Sequence, residues 1–443
     1  MKRNVFLSLF LLVCIVMTLP FPVFAKDYEG ADALASENIV VINADNGLMV
    51  FTKNAYEKIS VGASAKIMTA ILALEYFEGI PEMKITVPTA ATRGVSGGAV
   101  LNLKAGEEIS VNDLIHATLI AGMNDAAQAL ALAIGGSYSN FVSMMNEKAM
   151  ELGATNTRYD NATGLSSPAY TTAADLAQIA LYAYKNKRFM EISSKRYHKI
   201  SATNVHEEVT IYTKNPLLTP QSEYYYSKAK GISVGYADES GAQIISAVSY
   251  GNYPYICIAA GARKTESGTI GGYADVKALF SWASYNFAER KILDESKILC
   301  EMPVRAGENI SHVLVVPDRS VYTFLDVDVD LSEITLQEML SYTQLTAPVS
   351  KGDVVGKVIM VLDGKPIEST NLIAKTSIRR SAGGGFLLML EKIFTNPIVI
   401  IVILLFVAFL FLYFFQKKKT PRFKTEKNRN HKNKNLKNTN AKE

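Results

Sequence analysis

The sequence predicts an α/β (α+β) exported domain, then a small all-β domain and one C-terminal transmembrane helix. Three observations carry this. Between residues 32 and 290, short β-like runs alternate with stretches of apolar helical periodicity. After about Leu293 the pattern changes to alternating strand-like runs and turn signals. Residues 398–415 are 18 positions without a charge. At helical rise they reach about 27 Å, enough to cross a hydrocarbon core.

The N-terminus reads Lys2-Arg3, an apolar run over 5–19, then Val23-Phe24-Ala25. This is a secretory signal with a small residue at the cleavage point, assigned to 1–25; the competing reading is a membrane helix. At the other end, the apolar run is followed by Lys417-Lys418-Lys419. The tail over 417–443 holds 11 Lys/Arg against Glu426 and Glu443, a charge of +9. Such a stop-transfer pattern places the tail (416–443) in the cytoplasm and the bulk outside a single-pass cell membrane. The chain's +4 therefore conceals a split. Setting aside the tail, Lys2 and Arg3 leaves the exported part at −7. Anionic lipid beside the membrane is the expected contact of the tail, and nucleic acid is not an expected partner. Of three cysteines, Cys14 lies in the signal, and Cys257 and Cys300 are expected free and buried, with a single bridge between them as the alternative. Five scattered histidines with no Cys/His cluster give no metal site, and no cofactor is expected.

Taken in order, 39–42 and 48–51 are strands joined at Asp45-Asn46-Gly47. Residues 63–77 form a helix with Ile67, Ala70, Ile71 and Leu74 at helical spacing. The stretch 85–108 is loop-rich, with Gly94, Gly97, Gly98 and Gly106. The Ala-rich run 111–134 reads as two helices meeting at Gly122-Met123-Asn124-Asp125. Helices follow over 139–152, with a Ser start and a Gly153 stop, and over 172–184. Strands are expected at 232–236, 243–250 and 255–259, the last two joined at Gly251-Asn252, before an amphipathic helix at 274–287. The β domain spans 296–376, with a hairpin signal at Asp363-Gly364. A linker at 377–396, with a hinge at 381–385, leads to the membrane helix at 397–415.

The chemistry-bearing text starts at Val61-Gly62-Ala63-Ser64-Ala65-Lys66. A hydroxyl three residues before a lysine on one helix shares its face, so the amine can take the hydroxyl proton. Here the residue three before Lys66 is Ala63, and Ser64 sits roughly 200° round the helix. Further text follows in order. It includes Gly97-Gly98 before Leu103 and Gly106-Glu107, then Asn124-Asp125-Ala126-Ala127, Asn161-Ala162-Thr163-Gly164-Leu165, Thr172-Ala173-Ala174-Asp175 and Asn215-Pro216-Leu217-Leu218. Over roughly 36–375 the chain resembles the D-alanyl-D-alanine carboxypeptidases, the low-molecular-mass penicillin-binding proteins of serine peptidase family S11. The resemblance implies a penicillin-binding/β-lactamase-like transpeptidase domain.

The family's three motifs, laid on this sequence, show what is missing. In S-x-x-K the serine attacks and the lysine takes its proton; the positions are Ala63 and Lys66. In S-x-N a hydroxyl relays a proton and the Asn orients the substrate; the positions are Gly122 and Asn124. In K-T-G the first two side chains bind the terminal carboxylate and the Gly lets the substrate approach; the positions are Ser233, Val234 and Gly235. Lys66, Asn124 and Gly235 are retained. Each also has a plain structural reading: a stem packed under the sheet, a helix cap and a close-approach glycine. Ser227-Lys228-Ala229-Lys230 is formally S-x-x-K but falls in a loop before a strand, where i and i+3 do not meet.

The leading expectation is a membrane-anchored extracytoplasmic protein of this family, without acyl-transfer chemistry. It would act by binding or scaffolding, with a peptidoglycan stem peptide or a cell-wall enzyme as partner. The alternative is an active D-Ala-D-Ala carboxypeptidase with an unrecognised nucleophile. A third reading is an assembly protein in which the β domain and tail matter and the cleft does not.

Overall fold

The computed structural model describes residues 28–95, 98–165, 168–250 and 253–417. The expected signal, the tail beyond 417, Gly97 and the expected turn at Gly251-Asn252 lie outside the described residues. The chain divides into two compact units. One runs to Asp294 and takes in Ser320–Gln337 and Ile359–Ser369; the other holds Glu295–Arg319, Glu338–Val358 and the chain from Thr370.

The first unit is built on a five-stranded antiparallel sheet. Its strands are β1 (Asn38–Asn43), β2 (Met49–Lys53), β3 (Ala229–Ala237), β4 (Gly241–Tyr250) and β5 (Tyr253–Ala262), in spatial order β2-β1-β5-β4-β3. All six residues of β1 are buried because both faces are covered. Val40 and Ile42 meet the main helical core, while Ile39 and Val41 face a second cluster around Val276, Leu279 and Phe280.

The main core is made by α1 (Ala65–Tyr76), α2 (Val111–Ile120), α3 (Asn124–Gly135), α4 (Tyr138–Glu151), α5 (Ala173–Lys185) and α6 (Lys187–Ser193). The other face is covered by α7 (Gly272–Asn286). Side-chain caps set several starts. Ser110 accepts from the Asp113 N–H ahead of α2, and Thr172 accepts from the Asp175 N–H ahead of α5. Ser137, not Ser139, caps α4 by accepting from the Asn140 N–H. The expected break in 111–134 falls between α2 and α3, where Gly122 has φ +66°.

The region from 296 on is β-rich. Within the second unit, Cys300–Arg305 pairs antiparallel with His312–Pro317, and His312–Pro317 pairs with the end of Lys365–Ala374. Asp363 and Gly364 lie between two strands at φ +51° and +73°, the conformation a two-residue hairpin turn requires. Cys257 is buried and Cys300 partly exposed, both as free thiols, so only Cys257 meets the expectation of burial.

The stretch 381–385 is not a hinge. Ser381 accepts from the Gly384 N–H and caps α8 (Ala382–Phe394), whose apolar run after the glycines carries the helix on. Then comes α9 (Pro397–Lys417), of which 19 residues, Pro397–Phe415, have mean hydropathy 3.3. By length and composition it can cross a membrane. The sequence reading had singled out neither α6 nor the hairpin Tyr197–Ile200 and Val209–Tyr212.

Candidate active site

The β1–β2 hairpin leads into a tight 3-10 turn, Gly62–Ser64, which runs into α1. Ala63 therefore lies in that turn, two residues ahead of the α-helix proper. The turn is clamped from β4. Gln243 accepts from the Ser64 N–H at 3.0 Å and donates to the Ser60 carbonyl at 3.2 Å. Ser64 is fully buried, and its hydroxyl donates back to the Val61 carbonyl at 2.5 Å. It is thus turned into the fold, away from any ligand.

Ala63 meets β3. A Cβ placed on Gly235 would collide with the Ala63 methyl, so this position requires glycine for packing. In register, Gly235 pairs with Gln243, Val234 with Ile244 and Ser233 with Ile245. Successive side chains alternate faces. The Val234 side chain packs with the apolar cluster on the α7 face, where Ile244 also lies.

Lys66 is half-buried and donates from Nζ to the Thr163 carbonyl at 2.8 Å. Burial, and then the positive charge of Lys214, pull its pKa down to about 8. The Thr163 carbonyl is held by a compact turn. Asn161 Oδ1 accepts from the Thr163 N–H, the Thr163 hydroxyl and the Gly164 N–H, at 2.9, 3.0 and 2.7 Å. Gly164 has φ +72°, and a Cβ there would strike the Gly62 carbonyl.

Asn124 is buried and begins α3, but the cap position is Met123, with no side-chain cap bond. The helix-cap reading of Asn124 is therefore not what the structure contains. Its amide lies where a Cβ on Gly98 would collide with Nδ2. The neighbouring Asp125 does the loop-holding. Its carboxylate accepts from the Leu101 N–H at 2.9 Å and the Leu103 N–H at 3.0 Å.

Ala63, Lys66, Gly122, Asn124 and the Ser233–Gly235 segment all line one cavity of about 530 Å³. The sequence reading missed three of its features. Lys214 lines it beside the α2–α3 break, its N–H donating to the Ile120 carbonyl at 3.1 Å. Arg263 lines it too, donating to the carbonyls of Asp238 and Glu239 at 2.9 and 3.1 Å. Gln243, already described, is the third. The only local signal for Lys214 was its place directly before Asn215-Pro216. Ser227 and Lys228 lie in a turn, with the Lys228 amine over the Tyr250 ring at 3.8 Å, so this S-x-x-K is not helical. Among the described residues no group of three or more His, Cys, Asp or Glu side chains is placed to hold a metal.

The sequence profile of D-alanyl-D-alanine carboxypeptidases, family S11, matches residues 25–264. The chain belongs to that family. The profile of the C-terminal domain of penicillin-binding protein 5 matches 287–380. The D-alanyl-D-alanine carboxypeptidase DacF of Bacillus subtilis is 26% identical over 397 residues, covering 88% of this chain and 98% of its own. The carboxypeptidase DacC of Escherichia coli K12 is 25% identical over 362 residues, with 78% and 84% covered. In fold, this member of the family is similar to penicillin-binding protein 5 of Haemophilus influenzae. That likeness has TM-score 0.61 at 23% identity, over 80% of this chain and 100% of the other. The peptidoglycan synthesis regulatory factor PBP3 of Streptococcus pneumoniae is similar at TM-score 0.62 and 21% identity, with 78% and 100% covered.

Proposed function

We propose that this protein is a membrane-anchored, extracytoplasmic member of the carboxypeptidase family that binds peptidoglycan stem peptide, or a cell-wall enzyme, without acyl transfer. The observation that carries the reading is the methyl of Ala63 against Gly235, at the point where the family's motif calls for a hydroxyl. Without it Lys66 has no proton to take and no acyl-enzyme can form. Removing a serine-hydrolase nucleophile alone lowers the rate by about 10⁶. Gly122 and Ser233-Val234 further remove the proton relay and the charge-assisted bonds to a terminal carboxylate. Against an unrecognised nucleophile stand Ser64, buried and bonded to Val61, and Ser227, on a turn. The anchor is α9, with the basic tail on the cytoplasmic side, in contact with anionic lipid.

The deciding experiment exposes the full chain to labelled penicillin and, separately, to a stem pentapeptide. The expected result is no covalent adduct and no released D-alanine. Stoichiometric labelling would overturn the reading, and the labelled residue would be the nucleophile. For topology, protease added to protoplasts removes the large domain and spares the tail; protection of that domain would refute the anchor.

A further inference from the structure

With no serine for Lys66 to serve, one end of the cleft holds two amines and no counter-charge. Lys66 and Lys214 both line the cavity. Lys214 is near enough to weaken the Lys66 ammonium. Among the described residues neither lysine forms an ion pair. The Thr163 carbonyl takes one of the three N–H donors of Lys66 and leaves the others to the cavity. Space is available beside them, because a Cβ on Gly122 would meet nothing within 4 Å. The carboxylates of the cleft, Glu37 and Glu239, lie at its other end. Glu37 lies against Gly261, and Glu239 belongs to the β3–β4 turn that Arg263 holds.

We infer that Lys66 and Lys214 form a carboxylate subsite, which takes the free carboxylate of a peptide as a bound anion and not as an acyl donor. This rests on the binding reading of the cleft given above. A carboxylate has two oxygens, so each can take one ammonium, and the shared anion relieves the repulsion between them. In the family's pattern the charged clamp lies on β3. Here that strand offers Ser233 and Val234; Arg263 stays on the Asp238 and Glu239 carbonyls of the β3–β4 turn, and Lys66 and Lys214 are the amines left to the cleft.

The test measures the acetylation rate of individual lysines in the full chain, in detergent, by peptide mass spectrometry. Three probes are used: a stem pentapeptide with a free C-terminus, the same peptide as its C-terminal amide, and acetate. The free peptide is expected to slow modification of both Lys66 and Lys214 about tenfold, the effect of roughly one unit of pKa. The amide should protect less than about twofold if the C-terminal carboxylate is the occupant. Equal protection by the amide, with none by acetate, overturns the subsite. So does peptide binding, read by equilibrium dialysis, that leaves both lysines as reactive as before; the binding reading then stands alone. Protection by acetate without peptide binding supports the subsite and removes the stem peptide as its occupant. Protection by none of the three probes overturns it. The Lys66→Met variant should lose about tenfold in affinity for the free peptide and be unchanged toward the amide, which a general loss of folding would not produce.

Discussion

The loop at 161–165 and the strand segment at 233–235 line the same cleft and are built in opposite ways. In the loop, one side-chain oxygen of Asn161 receives three donors, and Gly164 sits where no other residue fits. The strand segment is fixed by backbone pairing to β4 and by one tight contact at Gly235. By the resemblance read from the sequence, the loop carries the family's text and the strand is expected to depart from it at Ser233 and Val234. The difference sorts residues by mechanical duty. Side chains that hold loops in place cannot change without unfolding something, whereas those that would grip or cleave a substrate can.

The strongest way to break this comparison is Gly164→Ala. Left-handed strain of about 1–2 kcal/mol and forced overpacking of about 1–3 kcal/mol should together destabilise the first unit by about 4 kcal/mol. Chemical denaturation reads it, and a loss below about 1 kcal/mol would show that the loop is not rigidly required. Next comes Asp125→Ala, which strands the Leu101 and Leu103 N–H groups; the expected loss is about 2–3 kcal/mol in the same assay. A preserved midpoint would mean that water replaces the carboxylate.

Lys66 gives a smaller effect with a definite sign. Its folded pKa of about 8 lies below the unfolded value of 10.5, so the unfolded chain binds more protons between these pH values. Stability should therefore rise with pH from about 8 to 10.5, and the burial penalty is fully present below 8. The difference in melting temperature between wild type and Lys66→Met, followed across that window, isolates this group; a constant difference would contradict it. The smallest effect is expected from Ser233→Lys, within about 0.5 kcal/mol as for other substitutions away from the core. A loss several times larger would mean that the strand is as constrained as the loop.

Much of this was legible in the sequence because the signals are local. The strand at 39–42, the helix from Thr172 and the break at Gly122 depend on residues a few positions apart, and all three are in the structure. The resemblance pointed to Ala63, Gly122 and Gly235, and these three line one cavity. What was missed depends on distant pairing. Gln243 acts 179 residues from Ser64, and no local pattern marks it. Lys214 gains its place only when its N–H meets Ile120 across the fold. The hinge at 381–385 was misread because three glycines outweighed the single Ser381 that caps them into a helix.

The contact between the Ala63 methyl and Gly235 has a kinetic consequence. It fixes the spacing of β3 and the start of α1 by direct packing at one wall of the cavity. A guest entering a slot already at its final width does not wait for the walls to move. Little ordering entropy is then lost on docking beyond the guest's own. Under the proposed binding role, capture proceeds at the rate of ordinary encounter, about 10⁵–10⁷ M⁻¹s⁻¹ for large partners, leaving residence time to set the affinity.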